Sequence, residues 1–103
     1  LHVDEVKTAK LKTVISELGY NIVKYAKTGT ISLYIIEDGK RGIRVVASDK
    51  GPGIKDISQA MKDNYSTSGT LGLGLPGVRR MVDDFSLHSE INVGTDVNIM
   101  FYL

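Results

Sequence analysis

Residues 66–85 read Ser-Thr-Ser-Gly-Thr-Leu-Gly-Leu-Gly-Leu-Pro-Gly-Val-Arg-Arg-Met-Val-Asp-Asp-Phe. The first half has neither helical nor strand periodicity, whereas Leu75, Val78, Met81 and Val82 recur at helical spacing, with Pro76 tolerated in the first turn. A glycine-rich loop that opens onto a helix N-terminus frees backbone N–H groups to wrap phosphates and adds the positive end of the helix dipole. Gly72, Gly74 and Gly77 spell a literal G-x-G-x-x-G. A Rossmann fingerprint needs a strand directly before it, and Asn64-Tyr65-Ser66-Thr67-Ser68 is none. A helix rather than a strand follows, which disfavours the protein-kinase glycine loop, and there is no G-K-[ST], so it is not a P-loop. Phosphate binding and a purely structural flexible loop both stay open.

Outward from this stretch, residues 4–27 carry Val6, Leu11, Val14, Ile15, Leu18, Ile22 and Tyr25 among Lys and Glu. Leu11 through Tyr25 fall within an arc of roughly 100°, which predicts an amphipathic helix ended by Thr28-Gly29. Two β-branched runs, 31–36 and 43–47, flank Asp38-Gly39 and predict a hairpin with a long loop. Gly51-Pro52-Gly53 breaks the chain, and 56–62 predicts a short helix with Asp56 as its N-cap. After the irregular stretch 63–74 comes a helix over 75–84. Two strands follow, 85–91 and 96–103, joined by Asn92-Val93-Gly94. The order α, β, β, α, loop, α, β, β predicts an α+β fold rather than repeated βαβ units.

The chain has 103 residues, enough for one domain over 1–103 with a modest core. Thirteen Lys and Arg against 12 Asp and Glu leave a net charge of +1, which advertises no nucleic-acid surface, although a local patch could hide inside that balance. The absence of cysteine removes disulfides, zinc thiolates and thiol nucleophiles together. No apolar run approaches the roughly 18 residues of a membrane span. Six of the 11 glycines lie between positions 51 and 77.

Three groups of residues could carry chemistry. Glu17, Asn21 and Lys24 share one polar stripe of the first helix, roughly 100° from the centre of its apolar arc. An amide oxygen can ligate Mg²⁺ and a carboxylate can take a proton from an attacking hydroxyl, a set suited to phosphoryl transfer, but a solvated helix face explains the same three residues. Asp49, closing a strand before Gly51 and Gly53, could accept a hydrogen bond from the amino group of adenine, or simply end a strand in a turn. Gly94-Thr95 is ordinary turn chemistry by itself.

Taken together in this order, the helix I-S-E-L-G-Y-N-I-V-K-Y-A, the run D-K-G-P-G-I, the glycine lid ending Gly72-Leu73-Gly74 and the closing Gly94-Thr95 resemble the four nucleotide-binding boxes of the GHKL ATPase superfamily. Within it, D-K-G-P-G-I and S-T-S-G-T-L-G-L-G-L-P-G-V-R-R-M-V-D-D-F are similar to the anti-sigma-factor-type serine/threonine kinases, closest to the RsbT-type switch kinases of the stressosome. The resemblance covers residues 11–103. It implies a two-layer α/β sandwich of the Bergerat type, with a mixed, mostly antiparallel sheet and helices on one face. It also implies ATP and Mg²⁺ as cofactors. Carried over residue by residue, Glu17 would activate the attacking hydroxyl and Asn21 would hold Mg²⁺. Asp49 would bind adenine, with Gly51 and Gly53 shaping its turn and Thr95 supporting the contact. Gly69, Gly72, Leu73 and Gly74 would form the lid, while Lys24 and Arg79 would contact phosphates or sit on a partner surface.

The implied function is a cytoplasmic partner switch that phosphorylates STAS-domain scaffold and antagonist proteins and, once released, activates a PP2C-type phosphatase. Two alternatives stand beside it: a nucleotide-gated anti-sigma-type binding module without turnover, and a histidine-kinase catalytic domain. Two departures from the family pattern bear on these expectations. Gly19 lies mid-helix between Glu17 and Asn21, where it could loosen their geometry or admit a close neighbour. The family's N-terminal strand is missing, so the sheet is expected to be one element short.

Overall fold

The computed structural model describes residues 4–37, 39–54 and 74–103. Helix α1 runs Glu5–Tyr25, and Asp4 caps it by accepting the Lys7 N–H at 2.8 Å. At the other end the Ala26 N–H bonds the Ile22 carbonyl, and Lys27 turns left-handed at φ 71°. The helix therefore stops at Tyr25, before the Thr28-Gly29 break expected from the sequence, because the reversal is made at Lys27.

Strands β1 (Gly29–Ile36) and β2 (Gly42–Asp49) form the expected long-looped hairpin, each beginning before its β-branched run. Helix α2 covers Gly74–Met81, ending three residues before the expected Asp84, which instead opens strand β3 (Asp84–Glu90). Strand β4 runs Gly94–Tyr102, so Gly94 and Thr95 belong to a strand rather than to the turn. The sheet order is β1-β2-β4-β3, and every pairing among the described strands is antiparallel. The expected short helix over 56–62 and the loop 63–73 lie outside the described residues.

Register explains where the core forms. Ile31, Ala47, Val97 and Leu87 align in one row across the sheet, and Leu33, Val45, Ile99 and Phe85 align in the next. These rows share one face, and α1 and α2 cover its centre with Val14, Leu18, Ile22 and Val78, leaving Leu33 on the edge strand β1 about half exposed. Leu18, Val14, Val45, Ile99 and Val78 are almost wholly enclosed. The opposite face carries more polar side chains, with Arg44 Nη1 donating to Asn98 Oδ1 at 2.8 Å, although Met100 on it is buried. Both described helices thus lie on one side of the sheet, the two-layer sandwich that the motif order implies. Gly19 meets only the Ile31 side chain, 3.7 Å from where a Cβ would stand, so no described backbone packs closely against it.

Candidate functional site

The apolar sheet face ends in a polar row: Gly29, Asp49, Thr95 and Ser89 align directly across the four strands. By strand alternation each occupies a core-facing position, where Ile31, Ala47, Val97 and Leu87 stand one row further in. The C-terminal half of α1 lies over this row. A Cβ at Gly29 would stand 2.8 Å from Ile22 Cγ2 and 3.0 Å from Asp49 Cβ.

Asp49 is half-buried, and its Oδ1 accepts the Gly51 N–H at 2.9 Å and the Thr95 N–H at 3.3 Å. Two backbone donors on one oxygen orient the carboxylate, and Oδ2 is left for another donor. Behind it, the Thr95 and Ser89 hydroxyls lie 2.8 Å apart, and Ser89 Oγ accepts the Ile54 N–H at 2.7 Å. Ser89 thereby ties the 51–54 turn to the end of the sheet. It is absent from the residues singled out by sequence, yet the alternation Phe85, Leu87, Ser89 puts a hydroxyl where a third apolar residue would continue the pattern.

Two glycines hold this corner. Gly53 has φ +81°, and a Cβ there would collide with the Glu90 carbonyl oxygen. Gly94 has φ +147°, and a Cβ would collide with the carbonyl oxygen of Asp49 itself. Both are therefore required by contacts within the protein, before any ligand is considered. Gly51 packs against α1, where a Cβ would stand 2.6 Å from Ala26 Cβ.

On α1, Glu17 is only 3% exposed, the sole charged residue in the core among those described. Its Oε2 and the Oδ1 of Asn21, one turn further on, are buried without a hydrogen-bond partner among the described residues. Burying such an atom unpaired costs about 1–3 kcal/mol, so a solvated-face reading no longer accounts for the pair. The Asn21 carboxamide oxygen is a hard donor that fits a Mg²⁺ ion taking its other ligands from phosphate and water, and the Glu17 carboxylate beside it could accept a proton. No three acidic, His or Cys side chains converge among the described residues, so an all-protein cage is not formed there.

Lys24 is exposed, and its ammonium lies 5.7 Å and 5.2 Å from the ring centres of Tyr20 and Tyr25. The structure thus seats it beside two aromatic faces. Arg79 is exposed on the last turn of α2. Gly74 is buried and opens α2 at φ +57°. The other expected lid residues, Gly69, Gly72 and Leu73, lie outside the described residues. The structure therefore gathers Glu17 with Asn21 on α1 and Asp49 with Gly51, Gly53 and Thr95 at the strand ends beside it.

Comparison with known proteins bears on the family and the fold. The family model described as histidine kinase-, DNA gyrase B- and HSP90-like ATPase matches residues 6–103. The chain is 48% identical to the serine/threonine-protein kinase RsbT of Bacillus subtilis (strain 168), over 95% of its own length and 74% of that relative. It is 32% identical to the anti-sigma F factor of Geobacillus stearothermophilus, covering 85% of this chain and 64% of that one. Among solved structures, full-length ShkA in complex with AMPPNP superposes with a TM-score of 0.67 at 21% identity, over 90% of this chain and 21% of ShkA, a likeness of fold alone. No helix among the described residues is long and apolar enough to cross a membrane. The motif order, the helix-covered antiparallel sheet and the family match over nearly the whole chain agree: the protein belongs to the histidine kinase-, DNA gyrase B- and HSP90-like (GHKL) ATPases.

Proposed function

We propose that this chain is an ATP-dependent protein serine/threonine kinase that works as a partner switch. The observation that carries the proposal is the buried Glu17, whose Oε2, like the amide oxygen of Asn21 beside it, has no hydrogen-bond partner among the described residues. A fold accepts that cost where the atoms have a task. In the proposed reaction Glu17 accepts the proton of a serine or threonine hydroxyl. The hydroxyl oxygen then bonds to the γ-phosphorus of ATP as the bond from that phosphorus to the β–γ bridging oxygen breaks, and ADP leaves. Asn21 would hold a Mg²⁺ ion, which neutralises phosphate charge when bound. Asp49, with Oδ1 fixed by two backbone N–H groups, would use Oδ2 to accept a hydrogen bond from the adenine amino group. Gly51, Gly53 and Thr95 keep that carboxylate in place, and Gly69, Gly72, Leu73 and Gly74 are proposed to close over the phosphates. Lys24 and Arg79, both exposed, would meet phosphate or partner.

The acceptors proposed are STAS-domain scaffold and antagonist proteins in the cytoplasm. The partner of the released kinase is proposed to be a PP2C-type phosphatase. The likeness to RsbT, named as a serine/threonine kinase, supports this reading. The likeness to an anti-sigma F factor supports a second one, a nucleotide-gated binding module without turnover. The intact mass of a cognate STAS-domain protein after incubation with Mg-ATP separates the two. One added phosphate that disappears with Glu17→Gln, while ATP still binds, supports the kinase. No phosphate on any STAS acceptor overturns it. A Glu17→Gln variant with full regulatory effect would favour the binding module.

A further inference from the structure

Helix α1 continues N-terminally past the site as one unbroken element from Glu5. At about 100° per residue, Lys10, Glu17, Asn21 and Lys24 fall within an arc of roughly 60°. Lys10 therefore stands on the stripe of the proposed base, seven residues and about 10.5 Å along the helix axis from Glu17. It is exposed, and the one ion pair among the described residues joins Arg41 to Glu37, far from it in the chain. Beyond the exposed Asp4 and Glu5 at the start of α1, the charges exposed on the described helices are basic: Lys10, Lys12, Lys24, Arg79 and Arg80. Asp83, Asp84, Glu90 and Asp96 are exposed on β3, β4 and their approach. Among the described residues the near-zero net charge thus hides a mostly basic helical layer and an acidic β3 edge.

Resting on the kinase reading above, we infer that Lys10 is a specificity-determining residue for the acceptor, pairing with an acidic side chain on the acceptor's surface near its serine or threonine. A hydroxyl delivered to Glu17 brings its own neighbours over the stripe. Three residues of extended chain span about 10 Å, the separation of Glu17 from Lys10. A carboxylate three positions from the acceptor hydroxyl, or at the same distance on a folded surface, would meet the Lys10 ammonium. An acceptor with a lysine there would be repelled, so the pair discriminates as well as attracts.

The test is binding of the full chain carrying Glu17→Gln, which removes turnover, to the STAS-domain protein of the phosphotransfer assay, with and without Lys10→Glu. A reversal of charge at Lys10 is expected to weaken binding about tenfold at 50 mM salt, and less at 300 mM as screening grows. Lys12→Glu changes net charge equally but lies about 200° round the helix, and is expected to change affinity less than twofold. In turnover by the chain with Glu17 intact, Lys10→Glu should raise the KM for acceptor and leave kcat and the KM for ATP unchanged. Lys10→Glu binding within twofold of its parent, Lys12→Glu acting as strongly, or no binding to the acceptor at all would each overturn the inference. Lys10-dependent binding without phosphate transfer would leave it standing and remove the kinase reading instead.

Discussion

Replacing Glu17 by glutamine should stabilise the protein while abolishing phosphate transfer. The residue is 3% exposed, lies among Val14 and Leu18, and has one carboxylate oxygen without a partner among the described residues. An unsatisfied buried polar atom costs about 1–3 kcal/mol, and a charged one lies at the upper end. Glutamine keeps the shape, removes the charge and offers an N–H₂ donor. Asn21 Oδ1, also without a partner among the described residues, lies one turn away and is the nearest candidate acceptor along the helix. Satisfying that oxygen and discharging Glu17 together should raise the unfolding free energy by about 1–2 kcal/mol. For a domain of this size each kcal/mol shifts Tm by about 4–8 °C. Urea denaturation of the two proteins side by side, with unchanged m-value, measures it. A Glu17→Gln protein less stable than its parent by 1 kcal/mol or more would refute the reasoning. The carboxylate would then be part of the scaffold, not a group held at a cost for chemistry.

Three further outcomes are expected. Gly94→Ala should cost more than about 2 kcal/mol, because the new methyl meets the Asp49 carbonyl at a φ that side chains avoid; thermal unfolding would show it, and ATP binding should weaken with it. Ser89→Ala should destabilise by about 1–2 kcal/mol, since it leaves the Ile54 N–H without its acceptor, and should loosen ATP binding with little change in the folded far-UV spectrum. Gly19→Ala should do the opposite, stabilising by about 0.5–1 kcal/mol, as its Cβ would find an ordinary 3.7 Å contact with Ile31 in a helix interior; a lower Tm would show that the glycine is needed for close packing.

The elements were legible because each carries its own period: the α1 stripe, the β-branched runs of β1 and β2, and the alternation of β3 and β4. Their ends were less so. Lys27 adopts a left-handed conformation that favours glycine or asparagine, so the sequence points to Gly29 for a reversal made two residues earlier. Thr95 and Gly94 look like turn residues but pair with Ser89 and Glu90, because strand pairing is decided by the partner strand as well as by local composition. Of the candidate site, Asp49, Glu17 and Asn21 are singled out by the order of motifs. Their individual chemistry was ambiguous, since burial separates a core carboxylate from a solvated one and is a tertiary property. Ser89 was overlooked because a lone serine in a strand signals nothing until the register sets it beside Thr95 and Ile54. Gly53 was expected to admit a ligand and Gly94 to make a turn. The structure adds that each is required by a neighbouring carbonyl oxygen.

The central claim is that adenine is read by Asp49 while Glu17 and Asn21 face the phosphates. A structure of the chain with a non-hydrolysable ATP analogue and Mg²⁺ tests it most directly. The account predicts the adenine amino group on Asp49 Oδ2, the metal on Asn21 Oδ1, and the Glu17 carboxylate turned toward the γ-phosphate. Adenine away from Asp49, or the metal held by residues other than Asn21, would contradict it.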